Sequence, residues 1–394
     1  MIGSITPRGD ARASRLNPRV LPIHWILALL VALVPALIVA PATAGGRPMS
    51  AHVAVFATTF DGGVYRRDGD APWRRLWQSP DPDTEGSRVW SFVSTDDGRR
   101  LYVSGYTGTL WRSVDGGRTW GRAGRGLQLG GRQAATLAHL QVDPQNSRVL
   151  YGDGFSGLYK TVDGGDTWRR LARGIPTSFA CLMALNRPTG SSLWASSNAI
   201  HPGVFYSLYH STDSGATWHE VGGRGLPADA GPACENTGDL NVAVSLFDAR
   251  VLYLNAGSPY SGAGSDLYRS DDGGGHWAPL HARYDTGGDS GPDGALRFDP
   301  WHPGRLYMDG DAAAGIPVYV SEDGGATWRK TPRLLPDAWE VVPDPTSSLI
   351  SYAPGANGVY RSIDGGRTWH DWTGHTLPVR ADNQIVNFQV ELVR

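Results

Sequence analysis

One eight-residue pattern, Ser/Thr-x-Asp-x-Gly-x-Thr/His-Trp, recurs six times and constrains the fold of this chain more than any other feature. The copies are Ser113–Trp120, Thr161–Trp168, Ser211–Trp218, Ser270–Trp277, Ser321–Trp328 and Ser362–Trp369. A worn seventh copy, Arg66–Trp73, keeps Asp68 and Trp73 but has lost the Ser, Gly and Thr positions. The anchoring residues Asp68, Asp115, Asp163, Asp213, Asp272, Asp323 and Asp364 are 47, 48, 50, 59, 51 and 41 positions apart. A period near fifty residues marks a propeller or solenoid, in which one supersecondary unit cannot bury its own faces.

The chemistry of the pattern is that of a turn. Each copy lies between two strand-like runs, as with Gly157–Thr161 before it and Thr167–Leu171 after it. Asp-Gly-Gly supplies residues that take positive φ without steric cost, as a tight antiparallel turn demands. The Asp carboxylate can accept N–H groups of its own turn, Thr favours the outgoing strand, and Trp can pack between neighbouring sheets. Seven equivalent turns around a ring cannot all face one substrate. The repeated Asp residues are therefore expected to be structural, not catalytic or calcium-binding.

Six near-intact copies at regular spacing make the chain, from about His52 onward, resemble the Asp-box (BNR-repeat) β-propellers. That superfamily includes sialidases, two-propeller xyloglucanases, the sortilin ectodomain and the photosystem II assembly factor family. The resemblance implies an all-β, single seven-bladed propeller of four-stranded antiparallel blades. It says little about activity, because unrelated functions share the architecture.

Four strands, A to D outward from the axis, are legible in each repeat; in the third they are Leu137–Val142, Val149–Asp153, Gly157–Thr161 and Thr167–Leu171. Asp-Pro or a relative ends strand A (Asp143-Pro144, Asp299-Pro300, Asp344-Pro345), which fits a type I turn. Strand B carries Leu-Tyr or Leu-Trp, whose aromatics are expected between blades. The first repeat starts at His52–Ala57, a strand B with no strand A before it, while Gln384–Val393 follows the last copy as an alternating apolar run. Joining the two in one blade closes the ring and removes two open sheet edges.

The remainder, residues 1–44, carries Arg8, Arg12, Arg15 and Arg19, an apolar run from Trp25 to Ala40, and the small-residue site Ala42-Thr43-Ala44. It reads as a secretory signal peptide. Val20–Ala44 is also long enough to span a bilayer, so a retained N-terminal membrane tether is the alternative. Residues 45–394 form the propeller, secreted or extracytoplasmic in either case. In that compartment Cys181 and Cys234, the two cysteines, are candidates for a disulfide. With 36 Lys and Arg against 38 Asp and Glu, the net charge of −2 offers no bulk attraction to nucleic acid.

The signature turns share one face, the turn face, with the A–B turns; the B–C and D–A connections share the other, the loop face. The loop face has the longer, irregular connections, where binding groups usually sit. Its candidate ligand-binding rim is Glu85, Tyr260, Asp289, Asp293, Trp339 and Arg380. For a sialidase, the resemblance would require an Arg-Ile-Pro string ahead of the first turn; here the nearest is Arg173-Gly174-Ile175-Pro176, interrupted by Gly. Another glycosidase would need two carboxylates about 5–10 Å apart, with Asp61, Asp153, Asp309 and Asp311 as candidates. All four lie in Gly-flanked turns, where solvent is expected to keep them ordinary. Asp285, Asp289, Asp293, Asp309 and Asp311 match no compact calcium loop, and no zinc spacing, phosphate loop or nucleophile elbow is present. The expectation is a monomeric, non-enzymatic binding or assembly module without metal or cofactor, for an unidentified protein or glycan. The alternative is a glycoside hydrolase using the same rim.

Overall fold

The computed structural model describes most of residues 52–393; residues 1–51, 81–88, 130–132, 176–179, 186–190, 198–206, 227–241, 257–265, 286–295, 310–317 and 332–334, with shorter scattered stretches, lie outside the description. The described residues form seven antiparallel four-stranded blades and no helix, a seven-bladed β-propeller in which six blades use consecutive strands and the first combines strands from both ends of the chain. In the third blade strand A is Gln141–Asp143, B Asn146–Gly154, C Gly157–Thr161 and D Arg169–Leu171. Strand A starts later than its apolar run. Leu140 N–H leaves the ladder to donate to Ser91 Oγ of the second blade at 3.0 Å.

Two elements add to this plan. The D–A connection after the fifth blade contributes Arg283–Asp285, which pairs parallel with strand D of the sixth blade, Thr327–Lys330. A two-stranded ribbon, Gln128–Leu129 with Gln133–Ala134, lies in the connection between the second and third blades.

Blades bury both faces because side chains alternate along each strand. In strand B of the first blade, Phe56 packs with Phe92 and Leu101 of the second blade, while Val55 and Ala57 pack with Tyr352 and Val359 of the seventh. One apolar cluster fills each of the seven seams. Each blade is thus half of two cores, which is why a lone repeat has no stable fold.

The signature turns share one hydrogen-bond scheme. In the six intact copies the Ser/Thr hydroxyl donates to Asp Oδ1 at 2.8–2.9 Å. The Gly N–H two residues past the Asp donates back to that hydroxyl oxygen at 2.8–3.0 Å. The N–H of the Thr or His four past the Asp donates to Oδ1 at 2.8–2.9 Å. Five Thr hydroxyls close on Oδ2, and His276 Nδ1 replaces them at Asp272, 2.6 Å away. Hydrogen bonds from the Thr119 and Thr217 hydroxyls and N–H groups hold the Asp115 and Asp213 carboxyls at about 2. At Asp163 burial pushes upward, but the Thr167 and Thr161 hydrogen bonds prevail and hold it at about 2.

Three strand B tyrosines tie a turn to the blade before it. Tyr102 Oη donates to Gly164 O at 3.2 Å, Tyr151 to Ser214 O at 3.4 Å and Tyr253 to Gly324 O at 3.1 Å. Strand C adds cations on the same carbonyls, Arg112 to Gly164 at 2.6 Å and Lys160 to Ser214 at 2.8 Å.

The ring closes through the C-terminal strand. Ile385–Val393 is strand A of the first blade and pairs antiparallel with His52–Thr59, His52 opposite Val393. Gln389 then clamps the next blade: its Oε1 accepts Ser94 N–H at 2.9 Å and its Nε2 donates to Phe92 O at 3.1 Å. The worn signature serves this seam. Asp70, at the lost Gly position, accepts from Arg361 and Trp372 of the seventh blade at 3.3 and 3.4 Å, and Arg67 stacks over Trp372 at 3.8 Å. Asp68 accepts from Arg66 and His52 instead of from a turn hydroxyl.

Candidate functional site

On the loop face the inner ends of the blades present few described polar groups, and hydrogen bonds occupy most of them. Asp61 sits in the B–C turn of the first blade. Its Oδ1 accepts the Thr59 hydroxyl at 2.6 Å and Gly63 N–H at 3.2 Å, and its own N–H donates to Asn383 Oδ1 at 3.0 Å. Asn383 is buried, and its Nδ2 donates to Pro378 O at 2.9 Å. The exposed Arg380 makes a tight turn with Asn383, so Asp61 and Arg380 meet at one blade through that amide.

Asp153 differs from its expectation. It is 2% exposed, not a solvated turn residue. The chain before strand A runs alongside it, Ala138 N–H donating to Asp153 O at 2.7 Å. That register sets His139 opposite: its N–H donates to Asp153 Oδ1 at 2.8 Å, and its Nδ1 lies 2.9 Å from Oδ2. Asp153 thus fixes a half-buried histidine and is covered by it. No motif marks this pair, because His139 lies inside an apolar run and only cross-strand register brings Asp153 to it.

A second pair was equally silent. Arg297, in strand A of the sixth blade, donates to Glu340 just before strand A of the seventh at 2.8 Å, and both are largely buried. Together His139, Asp153, Arg297 and Glu340 are polar groups at the inner strands on the loop-face side.

The remaining predicted residues fall differently. Asp309 ends strand B of the sixth blade opposite Val318, its side chain outside the described residues. Glu85, Tyr260, Asp289, Asp293, Asp311 and Trp339 lie wholly outside them, as do Cys234 and the side chain of Cys181, whose backbone is in strand A of the fourth blade. Asp61, Asp153 and Asp309 stand on the first, third and sixth blades, so none of these three shares a blade with another. Among the described residues no cluster of His, Cys, Asp and Glu could hold a metal.

The Arg173–Pro176 string has a structural explanation. Arg173 O accepts Trp218 N–H at 3.0 Å, and a Cβ on Gly174, at φ +80°, would lie 2.1 Å from Trp218 O. The same contact joins Arg125-Gly126 to Trp168 and Arg224-Gly225 to Trp277. Arg-Gly is therefore a repeated clasp between the end of one blade and the signature of the next, placed where only glycine fits.

No known protein-family profile matches the chain. A xyloglucanase of Paenibacillus sp. is 28% identical over 317 residues, 70% of this chain and 30% of that protein. A xyloglucanase of Hypocrea jecorina is 27% identical over 339 residues, 75% and 38% of the two. The chain thus spans about a third of the length of these curated relatives. Among solved structures, a GH74 enzyme of Niastella koreensis superposes with a TM-score of 0.57 at 20% identity, covering 80% of this chain and 52% of that one. YCF48 bound to a D1 peptide superposes with a TM-score of 0.53 at 18% identity, covering 78% and 89%. With the seven blades, these likenesses place the chain among the β-propeller proteins.

Proposed function

We propose that the chain is an exported, non-enzymatic binding or assembly propeller of the Asp-box type, using its loop face. The observation that carries this reading is the state of the described loop-face carboxylates. Asp61 closes its own turn, Asp153 is covered by His139, and Glu340 is paired with Arg297. General acid–base chemistry needs two carboxylates whose environments hold them apart in pKa across a cleft. These three are each engaged elsewhere. Supporting the reading, the peptide-bound YCF48 is covered over 89% of its length by this one ring. The ligand is a protein segment or glycan held by Arg380 and the rim loops that carry Glu85, Tyr260, Asp289, Asp293 and Trp339.

The second reading, a glycoside hydrolase, is favoured by the xyloglucanase relatives. It requires carboxylates such as Asp309 and Asp311. Incubating the purified chain with xyloglucan, aryl sialosides and a panel of aryl glycosides separates the two. No turnover is expected. Robust hydrolysis that Asp309→Asn abolishes in a folded protein would replace the binding reading with the hydrolase.

A further inference from the structure

We propose that the outer edge of the second blade takes an extended segment of another polypeptide, bound as the Arg-Gly clasps bind elsewhere in the ring. Trp73, Trp168, Trp218, Trp277, Trp328 and Trp369 of the other signatures are 2–5% exposed. Trp120 of the second blade is only half-buried. Trp77 of the first blade and Trp111 of the second stand beside it, half-buried as well. The Trp77 ring centroid lies 5.5 Å from that of Trp120 and 5.8 Å from that of Trp111. Tryptophans left open together at one seam suit a binding surface.

The neighbouring seams show what such an edge holds. Between the second and third blades the clasp runs parallel to the start of strand D, Arg125 opposite Thr167. Gly124 N–H donates to Gly165 O at 2.9 Å, Arg125 N–H donates to Asp166 O at 3.1 Å, and Arg125 O accepts Trp168 N–H at 2.8 Å. Leu127, next after Gly126, is buried in the cluster of Trp168. Arg173-Gly174-Ile175 and Arg224-Gly225-Leu226 repeat the contact at Trp218 and Trp277. Arg283–Asp285 extends it to a parallel strand along Trp328.

At Trp120 the first blade does not reach across in this way. Its strand D stays with its own sheet, Ser79 N–H donating to Gly62 O at 3.0 Å, and Pro80 has no N–H to give. Residues 79–88 also contain no Leu, Ile, Val, Met or aromatic residue to match Leu127 and Ile175. No backbone group among the described residues pairs with Trp120 N–H or Arg118 O. Gly117 O, Arg118 O and Trp120 N–H correspond to the Gly165, Asp166 and Trp168 groups that hold a clasp. Two carbonyls and one N–H in that register are met by an extended polypeptide. The residue after the one that accepts Trp120 N–H must be glycine, because in the three clasps a Cβ there would lie 2.0–2.3 Å from the Trp carbonyl oxygen. An aliphatic residue follows, laid against the open tryptophans. Arg118 and Arg122 are exposed at this edge, so the residue before the glycine is not basic, unlike in the internal clasps.

The test adds to the purified chain a capped peptide, Ala-Gly-Gln-Gly-Leu-Gln-Leu, which is the clasp 123–129 with glutamine in place of its arginine. A second form carries photoreactive benzoylphenylalanine in place of the first leucine. Irradiation is expected to label Trp77, Trp111 or Trp120, as located by mass spectrometry, and the plain peptide competes. A peptide with alanine in place of the second glycine is expected to compete about tenfold more weakly. No labelling, labelling elsewhere, or equal competition by the alanine peptide overturns the proposal. Competition by xyloglucan oligosaccharides but not by the plain peptide assigns the tryptophans to a glycan and overturns it too. A particle of twice the chain mass that excludes the probe assigns the edge to a second copy, with the same consequence. Ligand binding at the loop face is measured separately and stands or falls independently of these outcomes.

Discussion

The Asp163 carboxylate accepts the Thr161 hydroxyl at 2.8 Å and Thr167 N–H at 2.9 Å, so one side chain organises a whole turn. Asp163→Ala removes the acceptor for these donors and is expected to destabilise by about 1–3 kcal/mol, read from chemical denaturation. These Asp groups also make stability depend on pH. Unfolded Asp titrates near 3.9, whereas Asp115, Asp163 and Asp213 sit at about 2 in the fold. A depressed folded pKa contributes stability above the unfolded value and loses it as pH falls through the folded one. Melting temperature should therefore hold above about pH 4 and fall between about pH 4 and pH 2; a flat profile across that window would remove these turns as the cause. Ser214 is the odd member of the set. It takes φ 59° where the equivalent Gly116, Gly164, Gly273, Gly324 and Gly365 are also positive. Ser214→Gly relieves a left-handed non-glycine residue and is expected to stabilise by about 0.5–1 kcal/mol; a lower melting temperature would contradict this.

At the scale of elements, the C-terminal strand carries the ring. It supplies strand A of the first blade, and Gln389 reaches across to Ser94 and Phe92 of the second. Deleting residues 385–394 would uncover an inner strand edge and one side of the Phe56 and Phe388 clusters. Loss of the cooperative transition is expected in calorimetry, and a truncated chain melting at the wild-type temperature would refute closure as the source of cooperativity. Gln389→Leu leaves Ser94 N–H and Phe92 O without their side-chain partner and should cost about 1–3 kcal/mol, with the four-stranded blade retained.

Over the whole molecule, repetition explains both what could be read and what could not. The period near fifty and the unpaired strand at each end were sufficient for the seven blades and the shared first blade. Both signals are local, carried by turn chemistry and alternation that each repeat restates. His139 and Asp153, or Arg297 and Glu340, are different. They are 14 and 43 residues apart. Only strand register within a blade, or contact between neighbouring blades, joins them. Asp153 shows the consequence, since a Gly-flanked Asp reads as solvated until the chain before strand A covers it. Arg173–Pro176 shows the converse: a string with the look of an active-site motif is a clasp against Trp218. The sequence by itself determined the repeat, the turn and the closure, because each follows from short-range stereochemistry. Tertiary structure alone decided which polar groups are covered and paired, because strand register and the packing of one blade against the next set both.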